Sequence, residues 1–286
     1  MIAVSAPGSR DKLPVSVVIP CYRCVDTVGR AVHSVLAQTL QPTELILVED
    51  GSDDQGATLS ALYALKVHHQ AQFPITVLEM PRNGGPGEAR NLGWSIARQS
   101  YIAFLDADDS WHHRKLEIQY NWMQRHPEVD LSCHATIVRE GVEAKMELPE
   151  QFSAEPIAPR RLLFVNCIPT RSVMLKREVE NRFPPARRYS EDYQLWLSLL
   201  FAGYRAWRIE APLAYSYKQE FGAGGLTGNM RGMQRGEISA YKSLLNAGRI
   251  DFLTYLAASS CSHLKYWRRQ LIVGLRAQSL KGGQCE

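Results

Sequence analysis

Nowhere does this 286-residue sequence hold a run of about 20 apolar residues, nor does it open on a basic segment, an apolar stretch and a small-residue cleavage site. Neither a membrane-spanning helix nor a secretory signal is expected, and a reducing cytoplasm is the expected compartment. Cysteine is scarce and scattered: there are six, and only Cys21 and Cys24 stand close together. A C-x-x-C pair after a strand suits a redox centre or half a zinc site. No second such pair and no paired histidine completes a zinc site, and the chain is much longer than a bare redox domain. Both cysteines read as small buried or semi-buried residues. No internal repeat and no low-complexity tract is visible. A large charge of one sign is also missing. The formal net charge is +4, and the stretch Arg249–Glu286, with six basic and two acidic residues, carries all of it. A general nucleic-acid binder would spread basic residues over its fold, so no nucleic-acid partner is expected.

What is present is a regular alternation. Val15 to Ile19 is a compact apolar strand stopped by Pro20, and a helix starting at Asp26 or Thr27 buries Val28, Ala31, Val32, Val35 and Leu36. Leu45 to Val48 is the second strand, a helix through Leu59, Leu62 and Tyr63 follows, and Ile75 to Leu78 is the third strand. A helix with Ala89, Leu92, Gly93 and Ile96 on one face leads to a fourth strand, Tyr101 to Leu105. Four strands joined by three helices predict a parallel α/β sheet with helices on both faces and right-handed crossovers. Val129 to Val138 alternates apolar and polar residues, as in a half-buried strand of an antiparallel or mixed part. Ser172 to Leu175 is a short strand, and Ala206 to Ile209 and Leu213 to Tyr217 read as a pair. The expected organisation is a leader over 1–13, one α/β domain over 14–230 divided near residue 110, and a helical extension over 231–286.

The stretch Y-I-A-F-L-D-A-D-D, Tyr101 to Asp109, runs a buried strand straight into three carboxylates. In open α/β sheets, ligands bind at the carboxyl ends of strands. Clustered carboxylates repel one another unless a cation or hydrogen-bond donors offset the charge. Asp106 and Asp108 could present oxygens to one Mg²⁺ or Mn²⁺, which takes one or two protein carboxylates and completes its shell with water and phosphates. A solvated turn capping the next helix would use the same residues. Polar turns follow all four strands and should gather on one edge, which suits a nucleotide. His68–His69 and His112–His113 lack a partner at metal-ligand spacing and read as surface residues. Phe221 to Gly228 is a glycine-rich loop without the spacing of a dinucleotide fingerprint.

Five ordered blocks carry a resemblance: V-S-V-V-I-P-C-Y, L-I-L-V-E-D-G-S-D-D, N-G-G-P-G-E-A-R-N-x-G, F-L-D-A-D-D and S-E-D-Y-x-L-W-L. Together, over roughly Pro14 to Tyr217, they resemble a family 2 glycosyltransferase of the GT-A type. The resemblance implies an open, mostly parallel sheet with a mixed part, a nucleotide-binding half over 14–110 and an acceptor-binding half over 111–230. It implies that Pro20 and Tyr22 contact the nucleotide base and that Asp50 accepts a hydrogen bond from the base ring N–H. Asn83, Gly84, Gly85 and Pro86 would wrap the nucleoside. Arg90 would approach the phosphates or serve the frame. Asp106 would lie nearer the ribose and Asp108 on Mg²⁺ or Mn²⁺, and Asp192 would be the general base with Glu191 beside it. A later family pattern, a basic residue or His followed by serine, is poorly matched; Lys218 or Thr227 is the candidate there.

This points to inverting transfer from a nucleotide-diphosphate sugar, UDP-sugar favoured, to a saccharide or lipid-linked saccharide, in bacterial surface polysaccharide or glycolipid synthesis. A sugar-nucleotidyltransferase is the alternative, but C-Y-R-C-V-D is not the glycine-rich basic loop it would carry after the first strand. A non-catalytic nucleotide-sugar binder is the other, and intact Asp108 and Asp192 weigh against it. Leu195 and Leu199, at i+3 and i+7 from Asp192, predict that Asp192 lies inward and Glu191 nearer the rim. Leu264, Trp267, Leu271 and Leu275, with Lys265, Arg268, Arg269 and Arg276 beside them, outline a basic amphipathic helix within 249–280 that suits peripheral contact with an anionic membrane.

Overall fold

The computed structural model describes residues 12–139, 148–149, 152–217 and 228–282. It begins with strand β1 (Leu13–Cys21), helix α1 (Val25–Leu36), β2 (Pro42–Glu49), α2 (Ala57–His69), β3 (Ile75–Glu79), α3 (Pro86–Ile96) and β4 (Tyr101–Phe104). β1 runs parallel to both β2 and β4, and β2 runs parallel to β3. The four strands therefore finish on one edge. β1 does not stop at Pro20, which lies opposite Val48 with the strand continuing to Cys21. Near the strand's end the missing N–H of proline costs little of the ladder.

The continuous apolar runs have a simple cause. Val15, Val17 and Ile19 of β1 pack with Val28, Ala31, Val32 and Val35 of α1, while Val18 packs with Ala89 and Trp94 of α3 on the other face. β4 repeats the pattern: Ala103 joins the α1 side, and Ile102 and Phe104 join the α3 side. A strand covered on both faces needs apolar residues at every position. Each fully buried Val, Leu or Ile contributes about 1.5–3 kcal/mol. Helix α3 lies directly on the sheet because Gly93 has no side chain: a Cβ there would stand 2.4 Å from Val18 Cγ1. Replacing Gly93 by leucine should push α3 off the strand.

The chain then forms β5 (Ser110–Trp111), α4 (Lys115–Arg125), β6 (Leu131–Val138), β7 (Ala154–Pro156), α5 (Pro159–Phe164), a 3₁₀ turn (Thr170–Ser172), β8 (Met174–Lys176), α6 (Glu191–Ala202) and β9 (Ala206–Ser216). β8 is antiparallel to β4 and β6, β6 is parallel to β9, and β5 and β7 are antiparallel to β9. The described residues thus form one open mixed sheet of nine strands, with helices on both faces.

Several sequence-based expectations change here. β6 is an interior strand: Ser132 and His134 are as buried as Leu131 and Cys133. Its polar positions are taken up internally, Gln119 donating to the Ser132 hydroxyl at 2.9 Å. The two short strands expected over 206–217 are one strand, β9, whose register slips opposite Ala135 to absorb Pro212. The strand expected at Ser172–Leu175 is shifted to Met174–Lys176. Residues 140–147 and 150–151, within a polar, irregular stretch of sequence over Glu140–Pro159, lie outside the described residues, as do Lys218, Thr227 and most of the glycine-rich loop.

Helices α7 (Met230–Asn246) and α8 (Phe252–Gly282) follow. α7 packs on α6, and α8 packs on α7 and α5. Ala240, Tyr241 and Leu244 share a core with Trp196 and Leu200 of α6. No helix among the described residues is long and apolar enough to cross a membrane. α8 exposes Leu253, Leu264, Trp267 and Leu271; the side chains of Leu275, Arg276 and Lys281 lie outside the described set.

Candidate active site

The ends of β1 and β2 are stitched together by their own turns. The Asp50 amide donates to the Cys21 carbonyl at 2.8 Å, and the Arg23 amide donates to Ser52 Oγ at 3.0 Å. Asp50 is buried, and its Oδ1 accepts the Gly84 amide at 2.7 Å. Burial pushes the Asp50 carboxyl up, against the amides of Gly84 and Gly85 that hold its charge. Asp50 therefore fastens the Asn83–Pro86 loop to the end of β2. Gly51 permits the closeness: a Cβ on it would meet the Arg82 carbonyl carbon and the Asn83 nitrogen at 2.4 Å. Gly85, at φ +87°, then turns the chain into α3, with Pro86 opening the helix. Pro20 is half-buried on β1, while Tyr22 is 36% exposed and donates its hydroxyl to Asp53 Oδ1 at 2.8 Å.

The acidic cluster is built around Arg90. Its guanidinium is buried on α3 and donates to Asp106 Oδ1 at 2.6 Å and to Glu191 Oε1 at 3.2 Å. One cation thus joins α3, the turn after β4 and the start of α6. Asp106 and Asp108 are half-buried, and the Asp108 carbonyl accepts from Arg30 Nη2 at 2.7 Å. Asp109 turns inward and accepts from Arg171 at 3.0 Å. Its carboxyl is pushed up to about 7 by burial, against the pull of Arg171, and the charges of Asp106 and Asp108 add to the rise. Burial and the adjacent Asp192 push Glu191 up to about 7 as well, against the pull of Arg90. Asp192 accepts the Thr170 hydroxyl on Oδ2 at 2.8 Å.

The expected positions of Glu191 and Asp192 are reversed. Glu191 is 5% exposed and paired with Arg90, whereas Asp192 is partly exposed. Helix α6 is buried nearly all round, through Tyr193, Leu195, Trp196, Leu197, Leu199 and Leu200. The Leu195–Leu199 stripe therefore marks no single inner face. Gly87 makes room for Glu191, since a Cβ there would lie 2.8 Å from Glu191 Cγ. Ser190 does not cap the helix; its φ is +55° and its hydroxyl donates to the Met233 carbonyl at 3.1 Å. His112 is not a surface residue: it is 5% exposed, and its Nδ1 accepts the Arg114 amide at 3.2 Å. Cys21 and Cys24 are buried free thiols. Thr170 and Arg171, neighbours on one 3₁₀ turn, escaped the sequence reading, because no local pattern marks contacts 22 and 62 residues away.

Residues 16–183 match the model of glycosyl transferase family 2. The chain belongs to this family. Among curated relatives, the putative teichuronic acid biosynthesis glycosyltransferase TuaG of Bacillus subtilis is 30% identical, over 70% of this chain and 77% of that protein. The UDP-Glc:alpha-D-GlcNAc-diphosphoundecaprenol beta-1,3-glucosyltransferase WfgD of Escherichia coli is 30% identical, over 66% of this chain and 71% of its own length. An uncharacterized glycosyltransferase of Rickettsia conorii is 31% identical over 65% of this chain, which spans only 30% of that longer protein. Among solved structures, Staphylococcus aureus TarS 1-349 in complex with UDP-GlcNAc superposes with a TM-score of 0.65 at 16% identity, covering 89% of this chain and 72% of that one. The Pyrobaculum calidifontis mannosyltransferase PcManGT, in complex with GDP-Man and Mn2+, gives 0.63 at 19% identity, covering 96% and 77%. These two likenesses concern the fold, and they place this family 2 chain among open mixed α/β sheets of the GT-A type.

Proposed function

We propose that this family 2 chain transfers a sugar from a nucleoside-diphosphate donor, a UDP-sugar foremost, to an acceptor hydroxyl with inversion at the anomeric carbon. The observation that carries this reading is the carboxylate cluster where β4 leaves the sheet. Asp106 and Asp108 are half-buried there, and Asp109 is pushed up to about 7 by burial first and by their negative charge second. A cation would offset that charge. Among the described residues no three His, Cys, Asp or Glu side chains are grouped to hold a metal by themselves. Two carboxylates completed by substrate phosphates suit Mg²⁺ or Mn²⁺, and Asp106 and Asp108 are the residues that would hold it. When bound, the ion offsets the charge that builds on the leaving diphosphate.

Asp50, with Tyr22, Pro20 and the Asn83–Pro86 loop, would receive the base. Asp192 would take the acceptor's proton as the acceptor oxygen bonds to the anomeric carbon and the bond to the diphosphate oxygen breaks. Its partial exposure and the Thr170 hydroxyl that fixes one of its oxygens support that role. A single displacement inverts the centre. Arg90, with both terminal nitrogens on carboxylates, would hold Asp106 and Glu191 in place. The teichuronic acid role of TuaG and the diphosphoundecaprenol-linked acceptor of WfgD support a saccharide or lipid-linked saccharide as acceptor. The exposed Leu264, Trp267 and Leu271 of α8, beside Lys265 and Arg268, support peripheral contact with an anionic membrane at its inner, cytoplasmic face. The test is turnover of UDP-sugars with Mn²⁺, with EDTA, and in Asp108→Ala. Loss of turnover in the last two is expected. Turnover that survives EDTA unchanged refutes the metal-assisted reading.

A further inference from the structure

Just before Glu191 and Asp192 the chain reads P-P-A-R-R-Y-S, and α7 opens with R-G-M-Q-R-G. Arg231 and Arg235 are four residues apart and share one face of α7; Gly232 and Gly236 share the neighbouring face. Those glycines bring the helix onto the turn. A Cβ at Gly232 would meet the Tyr189 ring at 2.8 Å, and one at Gly236 would meet the Tyr189 carbonyl oxygen at 2.4 Å. The docking lines a cleft of about 550 Å³ with Arg187, Arg188, Arg231 and Arg235. None of the four forms an ion pair among the described residues; the nearby pairs use Arg90, Arg171 and Arg269 instead. The turn carrying Arg187 and Arg188 is bracketed by two non-glycine residues in left-handed conformation, Ala186 at φ +54° and Ser190 at φ +55°. Such backbone persists only where its surroundings hold it, and it gathers at ligand clamps.

Four guanidiniums without a carboxylate partner among the described residues line one cleft, Arg231 donating only to the neutral Tyr266 hydroxyl at 3.4 Å, and they repel one another unless an anion is present. Arginine forks match the oxygens of phosphate, and the N-terminal end of α7 adds its positive dipole end to the same cleft. None of Asp50, Asn83, Asp106 or Asp108 lines the cleft. Its lining leaves out Asp106 and Asp108, where the donor's diphosphate would meet its cation, while it adjoins the turn that carries Asp192 and borders the Gly85 end of the Asn83–Pro86 loop through Arg187. We propose that the acceptor bears a phosphate or diphosphate group, and that Arg187, Arg188, Arg231 and Arg235 seat it there so that its hydroxyl reaches Asp192. This assignment rests on the transferase reading given above.

Inorganic pyrophosphate is the probe, titrated calorimetrically into the full chain in EDTA and low salt, where no cation can bind it at Asp106 and Asp108. Binding is expected without metal, unchanged in Asp108→Ala, weaker by about tenfold in each of Arg188→Gln, Arg231→Gln and Arg235→Gln, and weakened by added NaCl. These side chains are solvent-accessible, and circular dichroism of each variant verifies that it folds. Binding that requires Mg²⁺ or disappears in Asp108→Ala belongs to the donor's site and overturns the proposal. Equal binding by wild type and all three variants, or none by the wild type, overturns it too. UDP-sugar turnover with Mn²⁺ is measured alongside. A chain that binds pyrophosphate through these arginines but turns over no UDP-sugar removes the transferase reading, and the acceptor assignment with it.

Discussion

Glu191 offers a test of the site's electrostatics that needs no substrate. Its carboxyl is 5% exposed, and burial with the neighbouring Asp192 raises it from its ordinary 4.5 to about 7 despite Arg90. A raised carboxylic acid holds its proton in the folded state over a range where the unfolded chain has released it. Between pH 4.5 and 7 the folded state thus binds more protons, and its stability falls as pH rises. Each pH unit of that window costs about 1.4 kcal/mol. Integrated from pH 5 to pH 8, this one group removes about 2–3 kcal/mol from the wild type. Glu191→Gln has no proton to lose, and glutamine closely imitates the protonated acid. At pH 5 the variant should therefore match the wild type to within about 1 kcal/mol, the worth of a weakened bond to Arg90. At pH 8 it should be relatively more stable by about 2–3 kcal/mol, or about 1 M in urea midpoint. The pH dependence of Asp109 and of other groups that do not act on Glu191 is common to both proteins and cancels in the double difference. Urea titrations of both proteins at pH 5 and pH 8 provide the four numbers. A variant offset that is the same at both pH values would refute the reasoning, because Glu191 would then be charged in the fold throughout.

Asp192→Asn should lower transfer by about 10²- to 10⁴-fold at saturating donor while the nucleotide-sugar still binds; a nearly active variant removes Asp192 as base. UDP should raise the melting temperature more than CMP, since ionised Asp50 accepts a hydrogen bond from uracil N3–H and cytosine N3 has no proton; GDP and dTDP also present a ring N–H, and a larger shift with CMP refutes the pairing. Gly236→Ala places a methyl 2.4 Å from the Tyr189 carbonyl oxygen, so it should move α7 and lower the melting temperature, whereas Gly248→Ala, which meets no atom, should cost only its backbone strain at φ +64°. The chain should sediment with anionic vesicles and not with neutral ones, and Trp267→Ala should weaken that binding; equal sedimentation with both, or with neither, removes the membrane contact.

Strands β1, β2 and β4 were legible because they are covered on both faces. Val15–Ile19 and Tyr101–Leu105 had to be apolar at nearly every position, and turn residues had to follow them. The acidic turn was legible for the same reason: Asp106 and Asp108 come directly after such a strand. The later part was harder to read. β6 imitates a half-exposed strand, because Ser132 and the Nδ1 of His134 spend their polarity on internal partners rather than on water. β9 hides Pro212 in a register slip, so one strand looks like two. Within α6, burial on nearly every side erased the period that would have told Glu191 from Asp192. Thr170 and Arg171 meet Asp192 and Asp109 only through the crossing of distant segments, and no window of sequence carries that information. The R-G-x-x-R-G run of α7 was visible, but its meaning depends on Tyr189, which only the packing brings alongside.

The fork of Arg90 also limits how the molecule can move. It fixes the start of α6 to the sheet through a guanidinium that has almost no access to water. Swinging α6 outward as a lobe would strip Glu191 from that guanidinium and leave Arg90 with Asp106 as its one carboxylate, a loss of about 1–3 kcal/mol before any packing is lost. Access to the site should therefore be gated by loops at the sheet's edge rather than by a hinge between its two sides, and exchange of substrate should keep pace with loop motion.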